Sequence, residues 1–220
     1  MKRIGIMGGT FDPVHNGHLL LGRQAYEEYD LDEVWYMPSH IPPHKKDHSI
    51  TPGEDRIAML RLALEDLPFC RVSDFEMKRE GNTYTAQTLK LLTEQYPDAS
   101  FFFIAGADSL FQMETWYHPE IVMSLATFLV SGREYESQEL TLEQQADYLR
   151  RTYGARIHLL HNEEISVSSA DIRKRAAEGR SISSFVPEQV EAYIRLHGLY
   201  GTCGTEKCAR EEKENPHHGR

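Results

Sequence analysis

Cysteine is scarce. There are three in 220 residues, and Cys70 lies far from Cys203 and Cys208. A disulfide framework is therefore not expected, and a reducing, cytoplasmic setting is the default. No apolar run approaches the roughly 20 residues of a membrane span. The opening MKRIGIMGGT enters a strand-like pattern with neither an apolar h-region nor a small-residue cleavage site. Basic charge is also in deficit, with 24 Lys and Arg against 34 Asp and Glu and a formal net charge of −10. Broad nucleic-acid binding needs a surplus of cations on one face and is not expected. An anionic substrate would have to be met by a local cluster of cations instead.

What is present is an alternation of short apolar runs with helical patterns. Lys2–Gly8, Glu33–Pro38, Phe69–Ser73, Ser100–Gly106, Thr127–Ser131 and Arg156–Leu160 read as buried strands. Gly17–Tyr29, Glu54–Leu67, Thr85–Tyr96 and Leu142–Tyr153 read as helices. Thr51-Pro-Gly-Glu54 has the form of a capping box with proline just inside the helix. This order predicts an α/β fold, a doubly wound parallel sheet, over residues 1–165. Ser169–Glu178 and Pro187–His197, joined by Gly179–Val186, predict a small C-terminal helical subdomain over 166–200. Residues 201–220 lack apolar periodicity and are rich in charge, so a disordered tail is expected there.

The most informative segment is Gly8-Gly9-Thr10-Phe11-Asp12-Pro13-Val14-His15-Asn16-Gly17-His18, between the first strand and the first helix. Ligands of open α/β sheets bind at the carboxyl ends of strands, near a switch in strand order. Gly8 and Gly9 allow close backbone approach, and the free N–H groups of the following helix turn favour a phosphate. No Gly-Lys-Ser/Thr follows, and the glycine spacing is not that of a dinucleotide fingerprint. His15 and His18, three residues apart at the helix mouth, are the candidate phosphate donors. The alternatives are that His15 caps the helix while His18 packs on it, or that the two belong to a metal site, which would need a third ligand, with only Asp12 nearby in sequence.

GGTFDPVHNGHLLL resembles the signature of the nucleotidyltransferase superfamily that carries a His-x-Gly-His motif. Its second signature is matched late in the chain by Ile165-Ser-Val-Ser168-Ser169-Ala-Asp-Ile172-Arg173, with Ala170 where many members have threonine. Within the superfamily the resemblance narrows to the bacterial nicotinate-nucleotide adenylyltransferases. It narrows on Met37-Pro-Ser-His-Ile-Pro42-Pro43-His44-Lys45, Gly81-Asn-Thr-Tyr84-Thr85, Ile104-Ala-Gly106-Ala-Asp108 and Trp116. It covers Met1 to about Tyr200 and leaves the tail outside.

The resemblance implies a Rossmann-like fold and transfer of AMP from ATP to nicotinate mononucleotide, with pyrophosphate released. It implies an ATP site of Gly8, Gly9, Thr10, Phe11, His15, His18, Gly106, Ser168, Ser169 and Arg173, with His18, His15 and Arg173 catalytic. The mononucleotide would meet Thr10, His44, Lys45, Tyr84, Thr85, Asp108, Trp116 and Arg133. Trp116 would stack the cationic pyridine ring, and Thr85 with nearby main-chain N–H groups would receive its carboxylate. Mg²⁺ is expected on the substrate phosphates and water, with no protein ligand named.

Each residue also has a plainer reading. Ser168-Ser-Ala-Asp171 is a capping box in its own right, Arg173 an exposed helix residue, Trp116 a packing aromatic, and His44 and Lys45 solvated loop charges. Cys203, Cys208, His217 and His218 have no usual zinc spacing. Competing functions are a transferase of the same superfamily acting on nicotinamide mononucleotide or phosphopantetheine, and a nucleotide sensor without turnover. Neither a nucleic-acid nor a membrane partner is expected, and assembly into a homo-oligomer is left open.

Overall fold

Successive residues of the central strands face opposite sides of the sheet, and both sides are apolar. A computed structural model describes residues 1–40, 50–79, 81, 83–132, 141–161 and 167–202. The chain runs β1 (Lys2–Gly9), α1 (Asn16–Glu28), β2 (Glu33–Pro38), α2 (Gly53–Leu64), β3 (Cys70–Val72), α3 (Thr85–Gln95) and β4 (Ala99–Gly106). It continues with α4 (Ala107–Gln112), α5 (Pro119–Leu125), β5 (Ala126–Ser131), α6 (Leu142–Tyr153), β6 (Arg156–Leu159), α7 (Ser169–Ala177) and α8 (Glu188–Leu196).

All six strands are parallel, in the order β3-β2-β1-β4-β5-β6. The order reverses between β1 and β4, where Met7 pairs with Ile104. The crossovers leave a crevice beyond the carboxyl ends of those two strands.

Ile4, Ile6, Trp35, Met37, Phe101, Phe103, Phe128 and Val130 form one face and pack against α3, α4, α5 and α6. Met7, Val34, Tyr36, Phe102, Ile104 and Leu129 form the other, covered by α1, α2, α7 and α8. The two C-terminal helices contribute Ile172, Ala176, Val190 and Ile194 to that second cluster. Each buried isoleucine or valine among them contributes roughly 1.5–3 kcal/mol.

The six expected strands are all present, and the six expected helices appear within a few residues of their expected ends. One local expectation is corrected. The Thr51–Glu54 capping box does not form: Pro52 is the N-cap of α2, and no side chain caps it. Thr51 turns outward from the helix instead, giving its N–H to Asp12 (3.4 Å) and its carbonyl to Arg56 (3.0 Å). The short helices α4 and α5 were not expected. Their signals were nonetheless available: Asp108 and Glu120 in the first turns, and Pro119 at the start of α5.

Candidate active site

β1 delivers Gly8 and Gly9 to the crevice, and the chain then bends through Phe11 at φ 51°. Phe11 is buried beneath its own turn, so close to Gly9 that a Cβ there would lie 3.2 Å from the ring. His15 is the N-cap of α1 in extended conformation. Its imidazole stacks on that of His18, with centroids 3.7 Å apart, and Phe11 meets His18 edge-on at 4.9 Å. His18 Nδ1 accepts the His15 main-chain N–H at 3.3 Å. A neutral His18 therefore carries its proton on Nε2, as a donor.

Burial pushes the His15 imidazole down to about 4, so it is neutral at pH 7. Its Nδ1 has no hydrogen-bond partner among the described residues. An adjacent phosphate favours the protonated form of a histidine. For His15 that attraction has to overcome the cost of burial.

Asp12, 1% exposed, is the centre of the turn. Its Oδ1 accepts the Tyr200 hydroxyl at 2.7 Å, and its main-chain carbonyl accepts Arg173 Nη1 at 2.7 Å. Arg56, 2% exposed, donates to the carbonyls of Thr10 (2.8 Å), Ser39 (3.0 Å) and Thr51 (3.0 Å). This one guanidinium thus ties the ends of β1 and β2 to the start of α2. Burial lowers the Arg56 pKa, and the Asp12 charge opposes that shift. That attraction offsets part of the cost of burying the guanidinium.

The second signature docks on this turn. Ser168 caps α7 by accepting the Asp171 N–H at 3.1 Å, and Ser169 Oγ donates to the Pro13 carbonyl at 2.9 Å. Two stretches more than 150 residues apart thus meet at Asp12 and Pro13.

Beside the turn lies a cavity of about 880 Å³ that runs from β1 to α3 and the segment after α4. Such a volume suits a small-molecule ligand. Gly8, Gly9, Thr10, His18, Gly106, Tyr84, Thr85 and Trp116 all line it. Phe11, His15, Ser168, Ser169, Arg173 and Asp108 are not among its lining residues. Phe11 and His15 lie behind the turn, the two serines are engaged as described, and Asp108 sits exposed in the first turn of α4. His44, Lys45 and Arg133 lie outside the described residues, as do Cys203, Cys208, His217 and His218.

The structure adds residues that the sequence reading missed. Glu76 lines the cavity and accepts the hydroxyls of Thr88 (2.7 Å) and Thr83 (3.1 Å). Burial raises its pKa, against the pull of both hydroxyls and of Arg79. Tyr117 lines the cavity too and packs on Tyr84, centroids 4.4 Å apart. Trp116 meets Phe103 at 77° and 5.8 Å. Glu76 sits in a turn region without periodicity, so no sequence pattern marked it. Tyr117 adjoined Trp116 and was within reach of the same reasoning.

A glycine-bearing strand end and a helix-mouth histidine thus open onto one cavity of a doubly wound sheet, with an α7 arginine held against the same turn. The chain matches the cytidylyltransferase-like family over residues 6–175. A protein of Lachnoclostridium phytofermentans named "probable nicotinate-nucleotide adenylyltransferase" is 46% identical over 200 residues, 91% of this chain and 100% of that protein. One of the same name from Bacillus cytotoxicus is 39% identical over 200 residues, 91% and 99% of the two chains. The solved structure of Plasmodium falciparum nicotinic acid mononucleotide adenylyltransferase complexed with NaAD aligns with TM-score 0.75 at 20% identity. It covers 91% of this chain and 98% of that one, a likeness of fold. The chain belongs to the cytidylyltransferase-like family and, within it, to the nicotinate-nucleotide adenylyltransferases.

Proposed function

We propose that this cleft transfers the adenylyl group of ATP to the phosphate of nicotinate mononucleotide, giving nicotinate adenine dinucleotide and pyrophosphate. The observation that carries the reading is a single cavity reaching from Thr10 and His18 at the phosphate turn to Thr85 and Trp116. Triphosphate and pyridine ring are thereby given opposite ends of one continuous site.

The acceptor phosphate has its second ionisation near ~6, so it is an anionic nucleophile at neutral pH without help from a side chain. The protein's task is then to align it with the α-phosphorus and to stabilise charge on the phosphoryl oxygens. Gly8, Gly9 and Gly106 let the backbone approach ATP, and Thr10 donates to it. His18 donates from Nε2 to the oxygens that gain charge, with His15 stacked behind it. Arg173, held against the Asp12 carbonyl, supplies positive charge for the β- and γ-phosphates. Ser168 and Ser169 keep α7, and so Arg173, against the turn.

Trp116 stacks the pyridinium ring, Tyr84 packs beside it, and the start of α3 at Thr85 receives the carboxylate. A carboxamide would present an N–H₂ donor to those donors, so the acid is preferred. Asp108 is assigned a ribose hydroxyl, and His44, Lys45 and Arg133 the mononucleotide phosphate. The carboxylate of Asp12 is engaged by Tyr200 and Thr51, and no group of three His, Cys, Asp or Glu forms among the described residues. This donor set fits Mg²⁺ carried by the substrate phosphates and water, where it would add neutralising charge.

The test is ATP-dependent dinucleotide synthesis with magnesium present, comparing the acid and amide mononucleotides side by side. Faster turnover of the amide would reject the acceptor assignment. ATP binding without pyrophosphate release from any pyridine mononucleotide would favour a sensor.

A further inference from the structure

Among the described residues, the Asp12 carboxylate is the one acidic group built into the phosphate turn, and its shortest hydrogen bond comes from the far end of the fold. Tyr200 donates to Oδ1 at 2.7 Å, against 3.4 Å for the Thr51 N–H on Oδ2. The same residue's carbonyl holds Arg173 at 2.7 Å. Arg56 directs its short hydrogen bonds to main-chain carbonyls and interacts with Asp12 through charge, whereas Tyr200 gives the carboxylate a directed hydrogen bond.

The chain takes trouble to bring this phenol in. Tyr200 has φ 57°, in the left-handed region that non-glycine residues seldom occupy, between Gly198 and Gly201, which share it. Burial and the neighbouring Asp12 charge raise the phenol's pKa, which keeps it a donor. Residue 200 also lies beyond the family match, which ends at residue 175.

We propose that Tyr200 is a positioning residue for adenylyl transfer: by orienting the Asp12 carboxylate it sets the turn whose carbonyl holds the Arg173 guanidinium. This rests on the function proposed above. A hydroxyl far from the reacting atoms acts because alignment of the phosphoryl groups is sensitive to displacements of about an ångström.

Tyr193 provides a matched control. Its hydroxyl donates to Asp55 Oδ1 at 2.8 Å, tying α8 to α2 at an acceptor that holds neither Asp12 nor Arg173. Tyr200→Phe and Tyr193→Phe each remove one hydroxyl and keep the ring. Tyr200→Phe is expected to lower kcat roughly tenfold or more, with the KM for nicotinate mononucleotide within about twofold, while Tyr193→Phe leaves both unchanged. Calorimetric titration with ATP should show weaker binding only in Tyr200→Phe, and this holds whichever acceptor the enzyme uses. Combined with Arg173→Lys, Tyr200→Phe should add little further loss.

Equal kcat and equal ATP affinity in the two phenylalanine variants would overturn the proposal. So would fully additive effects with Arg173→Lys. Dinucleotide synthesis absent from the wild-type protein, with the ATP-binding difference intact, would count against the proposed reaction and leave the positioning role standing. If Tyr200→Phe fails to fold, Asp12→Asn is compared in its place, because the phenol then meets a neutral amide instead of a carboxylate and its charge-assisted hold on the turn is weakened. ATP affinity equal to that of wild type would then overturn the proposal.

Discussion

The hydroxyl of Tyr36, on β2, donates to the main-chain carbonyl of His18 at 3.1 Å. It reaches that carbonyl over Gly22, where a Cβ would clash with the Tyr36 oxygen. The sheet thereby sets the height of α1, and with it the position of the His18 ring at the cavity. Gly22→Ala is expected to force Tyr36 or α1 to move, costing about 1–3 kcal/mol. Thermal denaturation measures that cost, and kcat should fall with it. An unchanged melting temperature together with an unchanged kcat would show that Tyr36 is free to swing aside.

His18→Ala should depress turnover by orders of magnitude, because it removes a donor aimed at charge that grows in the transition state. Stability should change little. His18 is only partly buried. Steady-state kinetics beside chemical denaturation separate the two effects, and a near-wild-type rate would remove His18 from the mechanism.

Trp116→Ala should raise the KM for the mononucleotide about tenfold, from lost stacking, and leave that for ATP nearly unchanged. Trp116 also packs edge-on against Phe103, so some loss of stability is expected. Equal weakening of both substrates would point to a packing role alone.

His15 has a specific pH signature. Its folded-state pKa is about 4, against 6.5 for the free side chain. Between those values the unfolded chain binds more protons than the folded one, so stability rises with pH across that window. The contribution is fully present above about pH 6.5 and lost as pH falls toward 4, amounting to about 3 kcal/mol. Denaturation from pH 4 to 7 should therefore show a slope that His15→Gln removes. An identical slope in the variant would mean that His15 titrates normally.

The sheet was legible because each strand is a short apolar run bounded by turn residues, and burial on both faces leaves a strand little freedom to be anything else. The phosphate turn was legible because glycines, histidines and proline cluster within eleven consecutive residues. Helices α4 and α5 were missed because at six and seven residues they are too short for a 3.6-residue period to repeat, and only their first-turn carboxylates and Pro119 marked them. The Thr51 box failed for a different reason. Its local chemistry was sound, but a buried carboxylate twelve residues into the chain competed for the same main-chain donor.

The sequence by itself determined the class of fold, the order of its elements and the chemistry offered at the end of β1. These depend on patterns within a few residues of one another. Only the tertiary structure decided which way each polar group faces. It set Glu76 between two threonines in the cavity wall and joined Tyr200 to Asp12 across 188 positions. A buried polar atom must find its partner among whatever the fold brings near it, and that neighbourhood is not written locally.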